Sequence, residues 1–488
     1  MECTRRSMLT GIAAAAGVAA MGTTTIRAHA SEATDAATTP DADVLVFGGG
    51  LAGLCAGIHL LEDGLTPLIV EKASVVATHT NSAVAGGSFT VPGEAGVEAM
   101  IEDLTHKSEG RGDASLTKAL CENVPATMDW LREHGCAFTD PVEIKPYSCQ
   151  KVYAAPAMYQ GMGTLMANLA DAYEQLGGQT LCDTKLIDFV FNERGAVSGA
   201  IVRTPEGLKT LHATCCIIAT GGYVGNKQLL EEFVGPEADE ILNRGFPTMT
   251  GDGILAAERA GAMLRQMGGT QSLHIAGVSP DNFVSGNPTN GVAYCLAINT
   301  AGKRYTDESK GYVNNGKALM DQPGQTCALV FDADAKANVE NIQITVDQFA
   351  NLNLPIIETD TIEDLASQIQ VDPDVLKQTI DEFNAASDGE KTTGLEVNKT
   401  ANAIKVQTAP FYAIYPLRPG CIMGFGGVYC NADAEVLEAD GTPIENLYAA
   451  GEVMGGLLVG DYMAGSSLDR SAVFGLIAAK SAAAIISA

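Results

Sequence analysis

The sequence is short of charge, and of basic charge above all. Only 18% of its 488 residues are charged, and 59 acidic residues against 30 Lys and Arg leave a formal net charge of −29. Nucleic acid and anionic membrane surfaces are excluded as partners, because the long-range electrostatic term would be repulsive. The acidity reads as serving solubility. Twelve cysteines are present, but there is no CxxC, no CxxCH haem attachment and no clustered iron–sulfur spacing. Neither a metal nor a haem is therefore indicated. Without Cys3, which would leave with an N-terminal signal, eleven thiols remain. An odd number cannot all pair within the chain, and these thiols read mostly as small buried apolar residues. Beyond the N-terminus no apolar run is long enough to span a bilayer, and there are no internal repeats or low-complexity tracts.

What is present is the composition of a soluble globular protein, 46% hydrophobic and rich in glycine (53 residues). The length predicts two domains, or one large domain with an insertion. Residues 1–30 read as a targeting segment: an Arg pair, an Ala- and Gly-rich apolar run, then the small-x-small cleavage pattern Ala28-His29-Ala30. Arg5-Arg6 within Thr-Arg-Arg-Ser-Met-Leu resembles a twin-arginine export signal. That implies a periplasmic, extracytoplasmic or cell-surface location; the alternative is a chance Arg pair ahead of an ordinary secretory signal. Residues 31–41 read as a flexible linker.

The strongest motif is DADVLVFGGGLAGLCAGIHLLEDGLTPLIVEKA. A β-branched run, Val44 to Phe47, leads into Gly48-x-Gly50-x-x-Gly53, a helical pattern, and a second strand ending at Glu71. This strand–turn–helix–strand–acid order predicts a dinucleotide site. The glycines let the backbone approach the pyrophosphate, the helix N-terminus stabilises its charge, and Glu71 can accept the ribose hydroxyls.

Three further segments carry a family resemblance: THTNSAVAGGSFTVPG (78–93), CCIIATGGYVGN (215–226) and LYAAGEVMGGLLVGDYMAGSSLDRSAVFGLIAA (447–479). With the glycine motif they resemble the flavoproteins of the fumarate reductase, succinate dehydrogenase and 3-ketosteroid dehydrogenase family. The resemblance implies FAD and an α/β fold: a discontinuous Rossmann-type FAD-binding domain (42–270 and 413–488) with an inserted α+β substrate-capping domain (271–412). It places Asn81, Ser82, Gly86 and Gly87 along the isoalloxazine, Gly451 and Glu452 at the ribityl–phosphate portion, and Ser467 and Leu468 at the pyrimidine edge. Ala52, Lys72, Thr220 and Gly221 complete the implied cofactor-facing set. Small residues allow flat approach to the ring, and backbone donors can stabilise a reduced flavin. His79 lies near the point where some relatives attach FAD covalently, but Thr80 falls at that position, so non-covalent FAD is expected.

The same resemblance bears on the reaction. Fumarate reductases of the family clamp two carboxylates with arginines and histidines and feed protons through an Arg–Glu–Arg relay. Followed residue by residue, the anchoring Arg falls at Tyr462 and the His before the GGV turn falls near Met423. The relay has no counterpart in 283–296, and the proton-donating Arg falls at Tyr312, four residues after Glu308. Each missing cation would supply a charge-assisted hydrogen bond of about 1.5–3 kcal/mol, so dicarboxylates are not the expected substrates. GKRYTDESKGY (302–312) instead resembles the ketosteroid dehydrogenase segment that ends in a catalytic Tyr. The resemblance then makes Tyr312 the proton donor or acceptor, and Tyr462 with the Gly465 amide the carbonyl site. That branch's Pro-Gly-Pro-Gly run is absent after Tyr462.

These readings predict hydride transfer between flavin and a C=C bond conjugated to a carbonyl, on an apolar, 3-oxosteroid-like molecule, with a separate electron-transfer partner. One alternative is reduction of an aryl-acrylate or other small enoate, if Arg244 or Arg418 enters the pocket. Another, of a different class, is a non-catalytic flavin electron-transfer protein. Residues 299–319 read as a polar loop, and the lesser alternative for Tyr312 is a solvent-side aromatic. His274 is as readily a core histidine as a substrate contact. Arg304 reads as a tie between cap and flavin domain. The Tyr/Met-rich stretch 145–165 is more often ordinary core, and 361–390 predicts two helices around a Val-Asp-Pro turn.

Overall fold

The β-branched run after Asp41 forms the strand Ala42–Phe47, the centre of a parallel sheet. It pairs in parallel with Pro67–Val70 on one side and Gly207–Ile218 on the other. Gln179–Leu181 extends the first side and Pro443–Ala449 the second. An antiparallel hairpin, Lys185–Phe191 with Val197–Thr204, is attached through Gly207–Ile218. The central strand is buried at Val44, Leu45, Val46 and Phe47, as expected of a parallel strand covered on both faces. This is a computed structural model, and it describes residues 41–156, 160–268, 270–271, 274–278, 285–288 and 291–487. The export-signal reading and all but the last residue of the linker lie outside the described residues.

Helix Leu51–Glu62 follows the glycine turn and is buried on nearly every side. One neighbour is the C-terminal helix Ser466–Ile486, which packs along it. A second sheet, mostly antiparallel, has the order Ser285–Gly286, His274–Val278, Phe411–Cys421, Cys327–Asp332, Leu296–Asn299. Its long strand Phe411–Cys421 also pairs with Leu242–Asn243 and Ile356–Thr359. The buried apolar side chains divide accordingly. One large cluster draws on residues 42–267 and 421–483, and two smaller ones on 275–417, around Phe331 and Phe349 and around Leu376 and Phe383. Strand Phe411–Cys421 runs between them: Tyr412, Ala413 and Ile414 belong to the smaller clusters and Cys421 to the large one.

The pair of helices expected in 361–390 is Ile362–Gln368 and Pro373–Ala386. Thr361 Oγ1 accepts from Asp364 N at 3.1 Å, and Asp372 accepts from Asp374 N and Val375 N, so both starts are side-chain caps. The 299–319 segment departs from its reading as a polar loop. After a turn at Glu308–Lys310, residues Tyr312–Met320 form a helix. The reason is local: Asn315 Nδ2 bonds the carbonyls of Glu308 and Gly311, while Val313, Asn315, Gly316 and Leu319 give the helix a buried face. Among the described residues no helix is long and apolar enough to cross a membrane.

Candidate functional site

One cavity of about 750 Å³ runs from the glycine turn to the second sheet. At its nucleotide end Gly48 has φ +114°, and a Cβ there would stand 2.3 Å from the Ala219 carbonyl oxygen. Gly53 is a packing residue: its Cβ would lie 1.9 Å from the Gly48 oxygen, and it does not line the cavity. Gly50 differs from both. Its φ is −81°, and a Cβ would meet nothing nearer than Ser82 Oγ at 3.6 Å. At Gly86, also on the cavity wall, an added Cβ would have no protein atom within 4 Å. Protein packing would therefore admit a side chain at both positions, and what a Cβ would narrow is the cavity itself.

Glu71 is buried, its Oε2 accepting from Gly49 N at 2.7 Å and its Oε1 from Ala73 N at 2.8 Å. Each oxygen retains a lone pair for a ribose hydroxyl. Helix Leu51–Glu62 has no acidic residue in its first turn, which leaves its positive end open to a phosphate. Lys72 is committed elsewhere, with Nζ 2.6 Å from both Thr250 Oγ1 and Asp252 Oδ2. Ser82 Oγ accepts from Leu51 N at 3.2 Å and so holds the helix start.

Asn81 ties three walls together: Nδ2 bonds Ile422 O and Glu452 Oε2, and Oδ1 accepts from Phe246 N at 2.8 Å. Burial pushes the Glu452 carboxyl up to about 7, opposed by the nearby charge of Arg470. Arg470 is itself fully buried, donating to Met454 O and Ser467 Oγ, and burial lowers it to about 10. Thr220 Oγ1 and Glu452 Oε1 are buried on the cavity wall with no hydrogen-bond partner. Open glycines, an acid set for a diol and two orphaned oxygens fit FAD. Ala52, Gly87, Gly221, Ser467 and Leu468 also line the cavity, whereas Gly451 stands behind the wall.

The other end of the cavity brings together four separated segments. Tyr312, first residue of its helix, stacks on His274 with ring centroids 4.1 Å apart and an 18° interplanar angle. Asn287 Nδ2 lies 2.6 Å from His274 Nδ1. Burial and the charge of Arg244 hold His274 well below the usual imidazole range, so it is neutral. Tyr312 is hydrogen-bonded to Tyr462, and burial first, then Tyr462, raises its phenol well above 10. It is thus a protonated phenol at neutral pH and a proton donor by default, not a tyrosinate base. Tyr462 rests edge-on against Phe425 at 5.6 Å. Gly465 lines the cavity and opens the C-terminal helix at φ +119°.

Of the two arginines considered from sequence, Arg244 lines this end, whereas Arg418 is ion-paired with Glu240 and lies off the cavity. Arg304 does not reach the flavin side. Its guanidinium binds Glu308 through Nε (2.9 Å) and Nη2 (2.7 Å) and Val397 O through Nη1, with Lys399 3.9 Å from the same carboxylate. The buried cluster braces the turn just before Tyr312. Sequence reasoning missed Arg470 and Asn287. Arg470 carried a signal, a lone cation inside the small-residue run SSLDRSAVFG. Asn287 carried none, since nothing local marks it as the partner of His274. The eleven described cysteines are all free.

Known proteins similar to this chain include flavoenzymes. A probable fumarate reductase of Shewanella frigidimarina is 27% identical over 451 residues, which span 90% of this chain and 74% of that protein. An NADH:acrylate oxidoreductase of Vibrio harveyi is 26% identical over 99% of this chain, which spans about half (54%) of that longer protein. The structure of a 3-ketosteroid Δ4-(5α)-dehydrogenase from Rhodococcus jostii superposes with a TM-score of 0.71 over 92% of this chain and 98% of that one. At 23% identity that likeness is one of fold. The FAD binding domain family matches residues 43–468; the chain belongs to that family and is an FAD-dependent oxidoreductase.

Proposed function

We propose that the protein reduces a carbon–carbon double bond conjugated to a carbonyl, with a substrate that carries one carboxylate. The observation that carries this reading is the convergence of Tyr312, Tyr462, His274 and Arg244 on one end of the cavity. FAD, when reduced, supplies the hydride for the β-carbon. Arg244 is the counter-ion for the substrate carboxylate, held against neutral His274. Tyr462 and the Gly465 amide donate to the carbonyl oxygen and stabilise the charge that gathers there as the β-carbon is reduced. Tyr312 then gives its phenolic proton to the α-carbon. The raised phenol favours the reducing direction, because a donor must hold its proton until the carbon is basic enough to take it.

Among the described residues lining the cavity, the cations are Arg244 and Lys72, and Lys72 is paired with Asp252 at the nucleotide end. Among the described residues a second carboxylate would find no further cation at the substrate end, and burying it unpaired is costly. Acrylates with an apolar or aromatic tail therefore fit better than fumarate. A second reading, a neutral 3-oxosteroid-like enone, is supported by Tyr462 and Gly465 on the same wall.

Tyr312, Tyr462 and Gly465 are the proposed catalytic set, and 271–412 the proposed cap over a flavin domain formed by 42–270 and 413–488. We place the enzyme outside the cytoplasm by the twin-arginine route, with electrons from a separate donor. The test is to reduce the flavin anaerobically and follow its reoxidation by hydroxycinnamates, urocanate, steroid enones and fumarate. Rapid reoxidation by monocarboxylate enoates is expected, and rapid reoxidation by fumarate alone would overturn the reading.

A further inference from the structure

A donor that stabilises charge in a transition state has to be aimed before the charge forms. Gly465, just ahead of the C-terminal helix Ser466–Ile486, lines the cavity together with Ala464. The contacts that seat it come from strand Ser88–Val91, behind the cavity wall. That strand stands at the edge of a three-stranded sheet and pairs on one side with Gln150–Tyr153. Its other side meets the start of the helix.

Thr90 N donates to Asp469 Oδ2 at 2.9 Å, and Thr90 Oγ1 donates to Ala464 O at 3.3 Å. Both side chains are buried, Thr90 at 0% exposure and Asp469 at 2%. Asp469 N donates in turn to Gly465 O at 3.2 Å, so Asp469 grips the strand through its carboxylate and the glycine through its amide. A Cβ on Gly465 would stand 2.7 Å from Thr90 Oγ1 and 2.8 Å from Thr90 N. The glycine is therefore pressed against the strand, at a φ of +119° that side chains rarely adopt. The Thr90 hydroxyl acts on a particular group. Ala464 O and Gly465 N belong to one peptide, and in a planar trans peptide the C=O and N–H point in opposite directions. Holding the oxygen at Thr90, which does not line the cavity, turns the Gly465 N–H away from the strand. Ser88, two residues before Thr90, lines the cavity with Gly86 and Gly87.

We propose that Thr90, held by Asp469, is a positioning residue that aims the Gly465 N–H at the substrate carbonyl and fixes its distance from the wall formed by Gly86, Gly87 and Ser88. The inference rests on the functional reading above, which gives the Gly465 amide its part in the reaction. Neither Thr90 nor Asp469 touches the substrate, since neither lines the cavity. Without the hydroxyl the peptide is free to rotate, and the amide has to be reoriented as charge gathers on the carbonyl oxygen. That cost falls on the transition state more than on the bound substrate.

The experiment compares Thr90→Val, Thr90→Ala and Thr90→Ser holoenzymes with wild type, using flavin content and melting temperature as checks on folding. Valine keeps the shape and the backbone contact with Asp469 and loses only the hydroxyl; alanine loses the hydroxyl without filling space, and either variant alone suffices. Serine keeps the hydroxyl. With a conjugated alkene as acceptor, kcat should fall about tenfold in the valine and alanine variants while KM stays within about twofold. The loss is smaller than the roughly 100- to 1,000-fold expected for removing such a donor outright. The serine variant should return kcat to within about twofold of wild type. An unchanged kcat in the valine or alanine variant, a rise in KM alone, or an equal loss in the serine variant would overturn the assignment. Failure of the wild-type flavin to reoxidise with any conjugated alkene would instead defeat the functional reading, before the variants are compared.

Discussion

The two ends of the cavity are built in different ways. The nucleotide end takes its turn, helix start and acid from one stretch of 24 residues, Gly48 to Glu71, and holds them by backbone geometry and the Glu71 contact with Gly49. The substrate end takes single residues from near positions 244, 274, 312 and 462, brought together by a strand edge, a helix start and a loop. Its distinctive contacts are between side chains: Tyr312 on His274, His274 on Asn287, Tyr312 on Tyr462. The first end recognises a group by shape and backbone donors, so few substitutions there are tolerated. The second sets reaction and substrate through exchangeable side chains, so one fold can serve different alkenes.

Substitutions at each end should break in different ways. Gly50→Val should give a folded protein that purifies without flavin, because the protein leaves room for the side chain and the cofactor does not. Flavin absorbance per chain measures this, and retained flavin would remove Gly50 from the cradle. Arg244→Met should retain flavin but lose kcat/KM about 10- to 150-fold on enoates, from a charge-assisted contact of about 1.5–3 kcal/mol. On neutral enones it should change little, and an equal loss on both would make Arg244 structural.

Glu452, on the wall between the two ends, sharpens the comparison through pH. Its carboxyl titrates near 7 when folded against an ordinary 4.5. The folded state therefore holds a proton that the unfolded chain has released. This contribution is fully present below pH 4.5 and is lost as pH rises through 7. In denaturant unfolding at saturating FAD, Glu452→Gln should remove a fall in stability of up to about 1.4 kcal/mol per pH unit across that window. Parallel pH profiles for the two proteins would show that Glu452 is ionised throughout. The smallest effect is expected at Arg418, whose partly exposed pairing with Glu240 lies off the cavity. Arg418→Ala should change stability by no more than about 1 kcal/mol and leave turnover unaltered, which makes it the control for Arg244.

The same contrast explains what could be read from sequence. The strand, glycine turn, helix and acid were legible because each obeys a local rule: a β-branched run, a position a Cβ would block, an apolar helical pattern. The paired helices after Thr361 and Asp372 were legible for the same reason. Tyr312 and Tyr462 were found only by resemblance to a family, and the helix at Tyr312 was missed. Its buried face includes Leu319, which packs in a cluster with residues distant in the chain. Choosing Arg244 over Arg418 needed the fold, since only tertiary pairing shows that Glu240 occupies Arg418. Asn287 had no local signature, because its partner His274 lies 13 residues away.

The central claim is that a tyrosine, not an arginine, delivers the proton at the substrate end. It is tested most directly by the anaerobic reoxidation of reduced flavin by a hydroxycinnamate in wild type and in Tyr312→Phe. Phenylalanine keeps the ring that stacks on His274 and removes only the hydroxyl. The variant should bind FAD normally and reoxidise at least about 100-fold more slowly. Reoxidation at the wild-type rate would contradict the account and take Tyr312 out of the chemistry.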